Sequence, residues 1–316
     1  MALYTEFDAA DISVAMRKYG VADFRVEHLS GGMANTSYLI SAKSGTYVLT
    51  ILDNHDAGSA DALARLMERL VANGIPTQSV IRSLSDEYVV FFKDRLLMLK
   101  TYMDGSCLDP LPEKYLALIG GYLAKVHEVP APGWMPIQGR RLPPDHQTRM
   151  ANFADQEFAN WLMENIKLTM PLAEFEGPSG LIHGDIFADN IIVDRMNNVA
   201  IIDWETACND LLVLDVAMTL VGLCRVDGKF LAGRACEFLK GYDECRPMST
   251  NEKDVLQLAV IYDSVVIAYH RYLRHHVTYP DVAKQHLYLE MPKFVNSVQE
   301  RWTDLIAALK APRVEK

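Results

Sequence analysis

Apolar and polar positions follow two periods along this chain, and the period changes near residue 100. Residues 8–19 space their apolar side chains as one face of a helix. Residues 24–29, 37–40 and 47–52 are short β-rich runs, set off by Ser30-Gly31-Gly32 and Ser44-Gly45. Residues 59–73 return to helical spacing and stop at Gly74, a residue suited to a helix C-terminus. Residues 88–92 and 96–101 predict a strand pair around Lys93-Asp94-Arg95. Beyond Met103-Asp104-Gly105 the pattern predicts helices over 113–128, 147–166, 210–224, 228–243, 251–276 and 291–310. One exception interrupts them. Ile191-Ile192-Val193 and Val199-Ala200-Ile201-Ile202 flank Asp194–Asn198, a β-hairpin signal in which Asn197-Asn198 tolerate positive φ. The expectation is an α+β chain with a small β-rich lobe over 1–99, a hinge near 99–104 and a larger helical lobe over 100–316.

Composition narrows the partners. Half of the 316 residues are hydrophobic and 23% are charged, which argues against disorder. The net charge of −10 makes the body a poor generic binder of nucleic acid or anionic membrane. A phosphate ligand stays open, because one magnesium ion or one local cation reverses the field inside a cleft. Five cysteines without a C-x-x-C pair read as reduced core thiols of a cytosolic protein. The N-terminus lacks a basic segment followed by an apolar one, so no signal peptide is expected. The apolar runs 211–224 and 255–269 are broken by Asp215 and by Gln257 and Asp263, and they read as core rather than membrane.

The chemistry concentrates in residues 181–205, LIHGDIFADNIIVDRMNNVAIIDWE. Phosphoryl transfer from a nucleotide needs metal ions on the phosphate oxygens and one carboxylate to orient the attacking hydroxyl and take its proton. Asp185 lies on a loop before the first hairpin strand, Asn190 at that strand's start, and Asp203 at the end of the return strand. A tight hairpin brings its ends together, so Asp185 and Asp203 are expected to converge on one cleft. His183-x-Asp185-x-x-x-x-Asn190 followed by Asp203 also matches the spacing of a kinase catalytic loop, with Asp203-Trp204-Glu205 in place of Asp-Phe-Gly.

His183-Gly184-Asp185-x-x-x-x-Asn190 with Ile202-Asp203-Trp204 resembles the aminoglycoside phosphotransferase and choline kinase superfamily. Within it the chain is most similar to the bacterial type II homoserine kinases. That similarity runs through Met1–Thr5, Gly32–Tyr38, Tyr47-Val48-Leu49-Thr50, Ala207–Asp210 and Gly241–Ser249. The resemblance implies a two-lobed protein-kinase-like fold and an ATP- and magnesium-dependent kinase. Asp185 would be the catalytic base, Asn190 and Asp203 the magnesium ligands, and His183 a brace for the loop.

In the small lobe, Gly31, Gly32 and Asn35 fall where a phosphate-covering loop sits, although the segment is not G-x-G-x-x-G. Protein kinases carry a lysine on the third strand, paired with a glutamate on the next helix. Here that position is Thr50, with Glu68 on the following helix, and a substitute is expected, either more reliance on magnesium or a cation from elsewhere such as Lys100. The hinge, including Leu99 and Thr101, would offer backbone groups to adenine. For the acceptor, Asp263, Ile267, His270 and Arg274 share a helical face, on which Asp263 would take an ammonium and Arg274 a carboxylate, and Asp210 and Asp215 follow the metal-binding segment. The expected product is O-phospho-L-homoserine, on the route to threonine. The alternatives are choline, ethanolamine or aminoglycoside as acceptor, or a nucleotide-binding pseudokinase, which Thr50 would favour.

Overall fold

A computed structural model describes residues 7–29, 35–139 and 141–310. The chain divides into two compact units. One comprises residues 1–106 together with 192–205, the other 107–191 together with 206–316. The division lies a few residues beyond the expected hinge, and the hairpin strands group with the first unit rather than the second.

The first unit is built on a sheet. Helix α1 (Ala9–Lys18) precedes strands β1 (Phe24–Leu29), β2 (Thr36–Ala42) and β3 (Gly45–Ile51). Helix α2 (Ala57–Ala72) leads to β4 (Val80–Ile81), β5 (Val90–Phe92) and β6 (Arg95–Thr101). The sheet order is β1-β2-β3-β6-β4, with β5 also on β6. Alternation along the strands sends Ile40, Leu49, Ile51, Leu97 and Leu99 into one core with Ile12, Ala15 and Met16 of α1. Helix α2 starts on a capping box between Asp56 and Ser59 and lies against β4 and β6. The chain leaves the sheet through Gly105, at φ +157°. A Cβ there would stand 2.5 Å from the Val193 carbonyl oxygen. Ser106 and Val193 then exchange both main-chain hydrogen bonds, at 3.0 Å each.

The second unit is mostly helical. It contains α3 (Leu116–Glu128), α4 (His146–Met150), α5 (Gln156–Leu168) and a small antiparallel sheet of β7 (Ser179–Ile182) with a later strand, Cys208–Leu211. The hairpin strands are β8 (Ile191–Val193) and β9 (Val199–Ile201), so Cys208–Leu211 is β10. Then follow α6 (Leu212–Leu223), the ribbon β11 (Arg225–Val226) and β12 (Lys229–Phe230), α7 (Ala232–Cys245), α8 (Thr250–Leu273) and α9 (Glu290–Lys310). Helix α3 packs on α7, and α8 packs on both α6 and α9.

Four expected helices differ from the observed ones. The one over 147–166 is two, because Asp155 caps Phe158 N–H at 2.9 Å and starts α5 afresh. The one over 210–224 begins at Leu212, since the preceding residues pair with β7. The one over 228–243 begins at Ala232, because Asp227 and Gly228, at φ +52° and +75°, close a hairpin turn. The one over 251–276 leaves α-helical form after Leu273 and ends in a π-turn over Arg274–Thr278. The thiols also differ from the expectation of core packing. All five are free, but only Cys208, Cys224 and Cys236 are buried, while Cys107 and Cys245 are exposed. Among the described residues, no helix is long and apolar enough to cross a membrane.

Candidate active site

The loop from His183 to Asn190 is held by one buried carboxylate. Asp215, in the first turn of α6, accepts the backbone N–H of His183 and of Gly184, each at 2.7 Å, and faces His127 Nε2 at 3.1 Å. Burial pushes the Asp215 carboxyl up, but the hydrogen bond and charge of His127 with the backbone donors outweigh it and hold it below the ordinary range. His183 is fully buried. Its Nδ1 accepts the Asp185 N–H at 3.2 Å, and its carbonyl accepts the Thr206 hydroxyl at 2.8 Å. Gly184 turns the chain at φ +77°. Asp185 is therefore half-buried on a loop whose backbone is fixed on both sides. Asn190 Nδ2 donates to the Asp185 carbonyl at 2.8 Å, which turns the amide oxygen away from that carbonyl.

The residues after Asp185 wall a cavity of about 690 Å³. Phe187 and Asp189 form one side, Arg225 and Asp227 of the β11–β12 ribbon a second, and Arg271 of α8 with Glu290 and Lys293 of α9 a third. Glu290 Oε2 accepts from Arg225 at 2.9 Å and from Arg271 at 3.0 Å, so two guanidinium groups share one carboxylate. Arg225 Nε is buried without a hydrogen-bond partner among the described residues. Burial, and then the charge of Arg225, pull the Arg271 guanidinium below its usual value, while Glu290 and Asp185 act the other way. The electrostatic reach of Asp185 to Arg271 ties the loop to this cavity.

In the first unit, Asp203 follows β9 at φ +66°. The next residue, Trp204, is buried and donates its indole N–H to the Thr77 hydroxyl at 2.9 Å. Glu205 accepts the Asn35 side-chain amide, and its other oxygen lies 3.9 Å from His55 Nε2. Asn35 Oδ1 accepts the Asp53 N–H at 3.1 Å. This ties the start of β2 to the end of the hairpin.

The sequence profile of the phosphotransferase enzyme family matches residues 25–248. The chain belongs to this family. It is an enzyme that transfers phosphoryl groups to hydroxyl acceptors. It is 26% identical over 258 residues to a homoserine kinase of Methylobacillus flagellatus, covering 80% of this chain and 81% of that one. To a homoserine kinase of Azorhizobium caulinodans it is 28% identical over 278 residues, covering 82% and 84%. Among solved structures, a microcompartment-associated aminopropanol kinase superposes with a TM-score of 0.70 at 14% identity, covering 94% of this chain and 98% of that one. A spectinomycin phosphotransferase bound to ADP and spectinomycin gives 0.67 at 14% identity, also covering 94% and 98%. These likenesses establish the kinase-like fold that the catalytic segment implied.

In this phosphotransferase the remaining expected residues are placed as follows. Gly31 and Gly32 lie outside the described residues. Thr50 is buried, with its hydroxyl 3.3 Å from that of Ser37. Glu68 is exposed and bonded to Arg82 and Tyr88 on α2's outer side. Leu99 points into the α1-side core, and its backbone is paired between Leu49 and Ile81. Thr101 bonds Ser79 through its backbone N–H and its hydroxyl, and its carbonyl accepts Gln78 Nε2 at 3.0 Å. Ser79 and Gln78 thus occupy the backbone N–H and carbonyl that Thr101 was expected to offer adenine.

Of the three expected acceptor residues, Asp210 and Asp263 stand near enough for their charges to interact around Arg141, and Arg274 does not join them. Asp210 is consumed by Arg141 at 2.6 Å and by the Gly139 N–H at 2.8 Å. Asp263 is 2% exposed, and burial raises its carboxyl well above the ordinary range. Arg274 lies eleven residues further along, about 16 Å at the rise of a helix, and stacks over the Tyr279 ring. The cavity group of Arg225, Arg271, Glu290 and Lys293 was missed. Its one local signal was Asp227-Gly228, a hairpin turn that forces Arg225 off the end of α6.

Asn190 and Asp203 supply an amide oxygen and a carboxylate, hard donors of the kind magnesium takes alongside phosphate oxygens. Among the described residues no group of three His, Cys, Asp or Glu side chains could hold a metal by itself.

Proposed function

We propose that the protein is an ATP-dependent kinase of an amino acid bearing a primary hydroxyl, L-homoserine, and that it forms O-phospho-L-homoserine in the cytoplasm. The observation that carries this reading is the lining of the cavity beside the Asp185 loop. Arg225, Arg271 and Lys293 stand there with Glu290 and Asp227. A zwitterion needs both signs of charge, whereas choline or an aminoglycoside needs only carboxylates. Arginine suits a carboxylate because its planar donors meet both oxygens.

In this mechanism the acceptor carboxylate is held by the guanidinium groups and its ammonium by the acidic side chains. Asp185 orients the hydroxyl and accepts its proton as the oxygen attacks the γ-phosphorus, and ADP leaves. Asn190 and Asp203 would hold magnesium, which when bound neutralises the phosphate oxygens. His183 and Asp215 keep the loop in position and take no proton.

The test is ADP release from purified protein with L-homoserine, 3-aminopropan-1-ol, choline, ethanolamine and an aminoglycoside. 3-Aminopropan-1-ol is homoserine without its carboxylate. The expected result is the highest kcat/KM for homoserine. Arg225→Gln should lower that value about tenfold or more, the worth of one hydrogen bond to a charged group, and leave 3-aminopropan-1-ol nearly unchanged. Equal use of the two by the wild type, or a preference for choline, overturns the amino-acid reading.

A further inference from the structure

Strand β3, GTYVLTI, contains no lysine, yet the γ-phosphoryl donor proposed above brings three or four negative charges to this unit. The hydroxyl pair of Thr50 and Ser37 is neutral and cannot balance them. The strand register identifies what can. Thr50 lies opposite Met98 and Val48 opposite Lys100. Directly opposed residues share a face of the sheet, and so do residues two apart. Lys100 therefore projects from the same face as Thr50, the face turned away from the α1-side core. The two positions are diagonal neighbours, about 7–8 Å apart at the backbone, a gap that a lysine stem spans.

Its surroundings are those of a half-buried amine with two carboxylates nearby. Lys100 is half-buried, and the charged groups acting on it are Glu205 and Asp203 at the end of the hairpin. Burial lowers its pKa, and these two carboxylates oppose that. Glu205 is already engaged by Asn35 and lies beside His55. Several other cations of the unit are committed elsewhere: Arg65 to Asp61, Lys93 to Asp11, and Arg82 to Glu68 and Asp86. Glu68, the side chain that would pair with a β3 lysine, is bonded instead to Arg82 and Tyr88.

We propose that Lys100 is the phosphate-anchoring cation of this enzyme, carried by β6 instead of β3, and that it binds non-bridging oxygens of the α- and β-phosphates of a nucleoside di- or triphosphate. The assignment rests on the kinase reading but not on the identity of the acceptor.

The experiment is calorimetric titration of the full-length protein with magnesium–ADP and with adenosine. Lys100→Met should weaken ADP at least tenfold and leave adenosine within twofold, because only ADP carries the phosphates. Lys100→Arg, which keeps the charge, should stay within about fivefold of wild type for ADP. If Lys100→Met does not fold, Lys100→Gln is read in the same way. ADP affinity within twofold of wild type in the folded neutral variant overturns the proposal. So does an equal loss of ADP and adenosine, which marks a packing role. A wild-type protein that binds neither compound would instead overturn the kinase reading itself.

Discussion

Asp185 and Asp215 are both aspartates of the same unit, and their surroundings assign them opposite work. Asp215 is buried with its two oxygens spent on His183, Gly184 and His127, so it is a fastener. Asp185 is half-buried, and Asn190 and His183 hold its backbone in place. Asp185→Asn should therefore lower kcat by at least about a hundredfold, the lower bound for losing a general base. Magnesium–ADP affinity should remain within twofold, measured by calorimetry beside an ADP-release assay. Turnover within a few-fold of wild type would remove Asp185 from the role of base. The loop pattern over 183–190 was legible in the sequence because its spacing is local to one short stretch. The ion cluster of Arg225, Arg271 and Glu290 was not, because three separate elements deliver it and no single stretch of sequence holds its pattern.

At the scale of elements, close helix packing depends on a few glycines. A Cβ on Gly241 of α7 would lie 1.9 Å from the Ala117 carbonyl oxygen of α3. A Cβ on Gly222 of α6 would lie 2.3 Å from the Ile186 carbonyl oxygen, in the catalytic loop. Neither oxygen belongs to a flexible side chain, so the backbone itself must move. Gly241→Ala should cost about 1–3 kcal/mol or more by overpacking. Gly222→Ala should also lower kcat, because the segment it displaces follows Asp185. Gly121→Ala is the control. Its Cβ would meet Cys245 Sγ at 3.5 Å and the Gly241 carbonyl oxygen at 3.7 Å, both ordinary contacts, and the gain in helix propensity is up to about 1 kcal/mol. Urea unfolding of the three variants checks the order. Helices α1, α2, α3 and α9 were read from apolar spacing to within three residues at either end, whereas β7 and β10 were not read at all. Each is four residues long, and they pair across a gap of more than twenty residues that local pattern cannot bridge.

At the scale of the whole molecule, one buried acid gives stability a pH dependence. Asp263 sits on α8 with Oδ2 buried and unpartnered among the described residues. Burial raises its folded pKa far above the unfolded value of about 3.9. Between those values the folded chain holds a proton that the unfolded chain has released, so stability falls as pH rises through that window. Asp263→Asn removes the penalty. The variant should melt at a higher temperature than wild type at pH 7–8, and the difference should shrink toward zero near pH 4. A gap that does not change with pH would show that Asp263 is not the source. Its sequence position within an apolar run marked it as unusual, but only the packed fold reveals which proton it keeps.

The exchanged bonds between Ser106 and Val193 have an evolutionary corollary. A gene fragment ending at codon 106 would encode Thr50 and Lys100 but leave behind Asp203 and Glu205, which belong to the same compact unit. Recombination between relatives would thus need three breakpoints, not one, to exchange this module intact. A single crossover near the hinge would join half of one parent's phosphate chemistry to half of the other's.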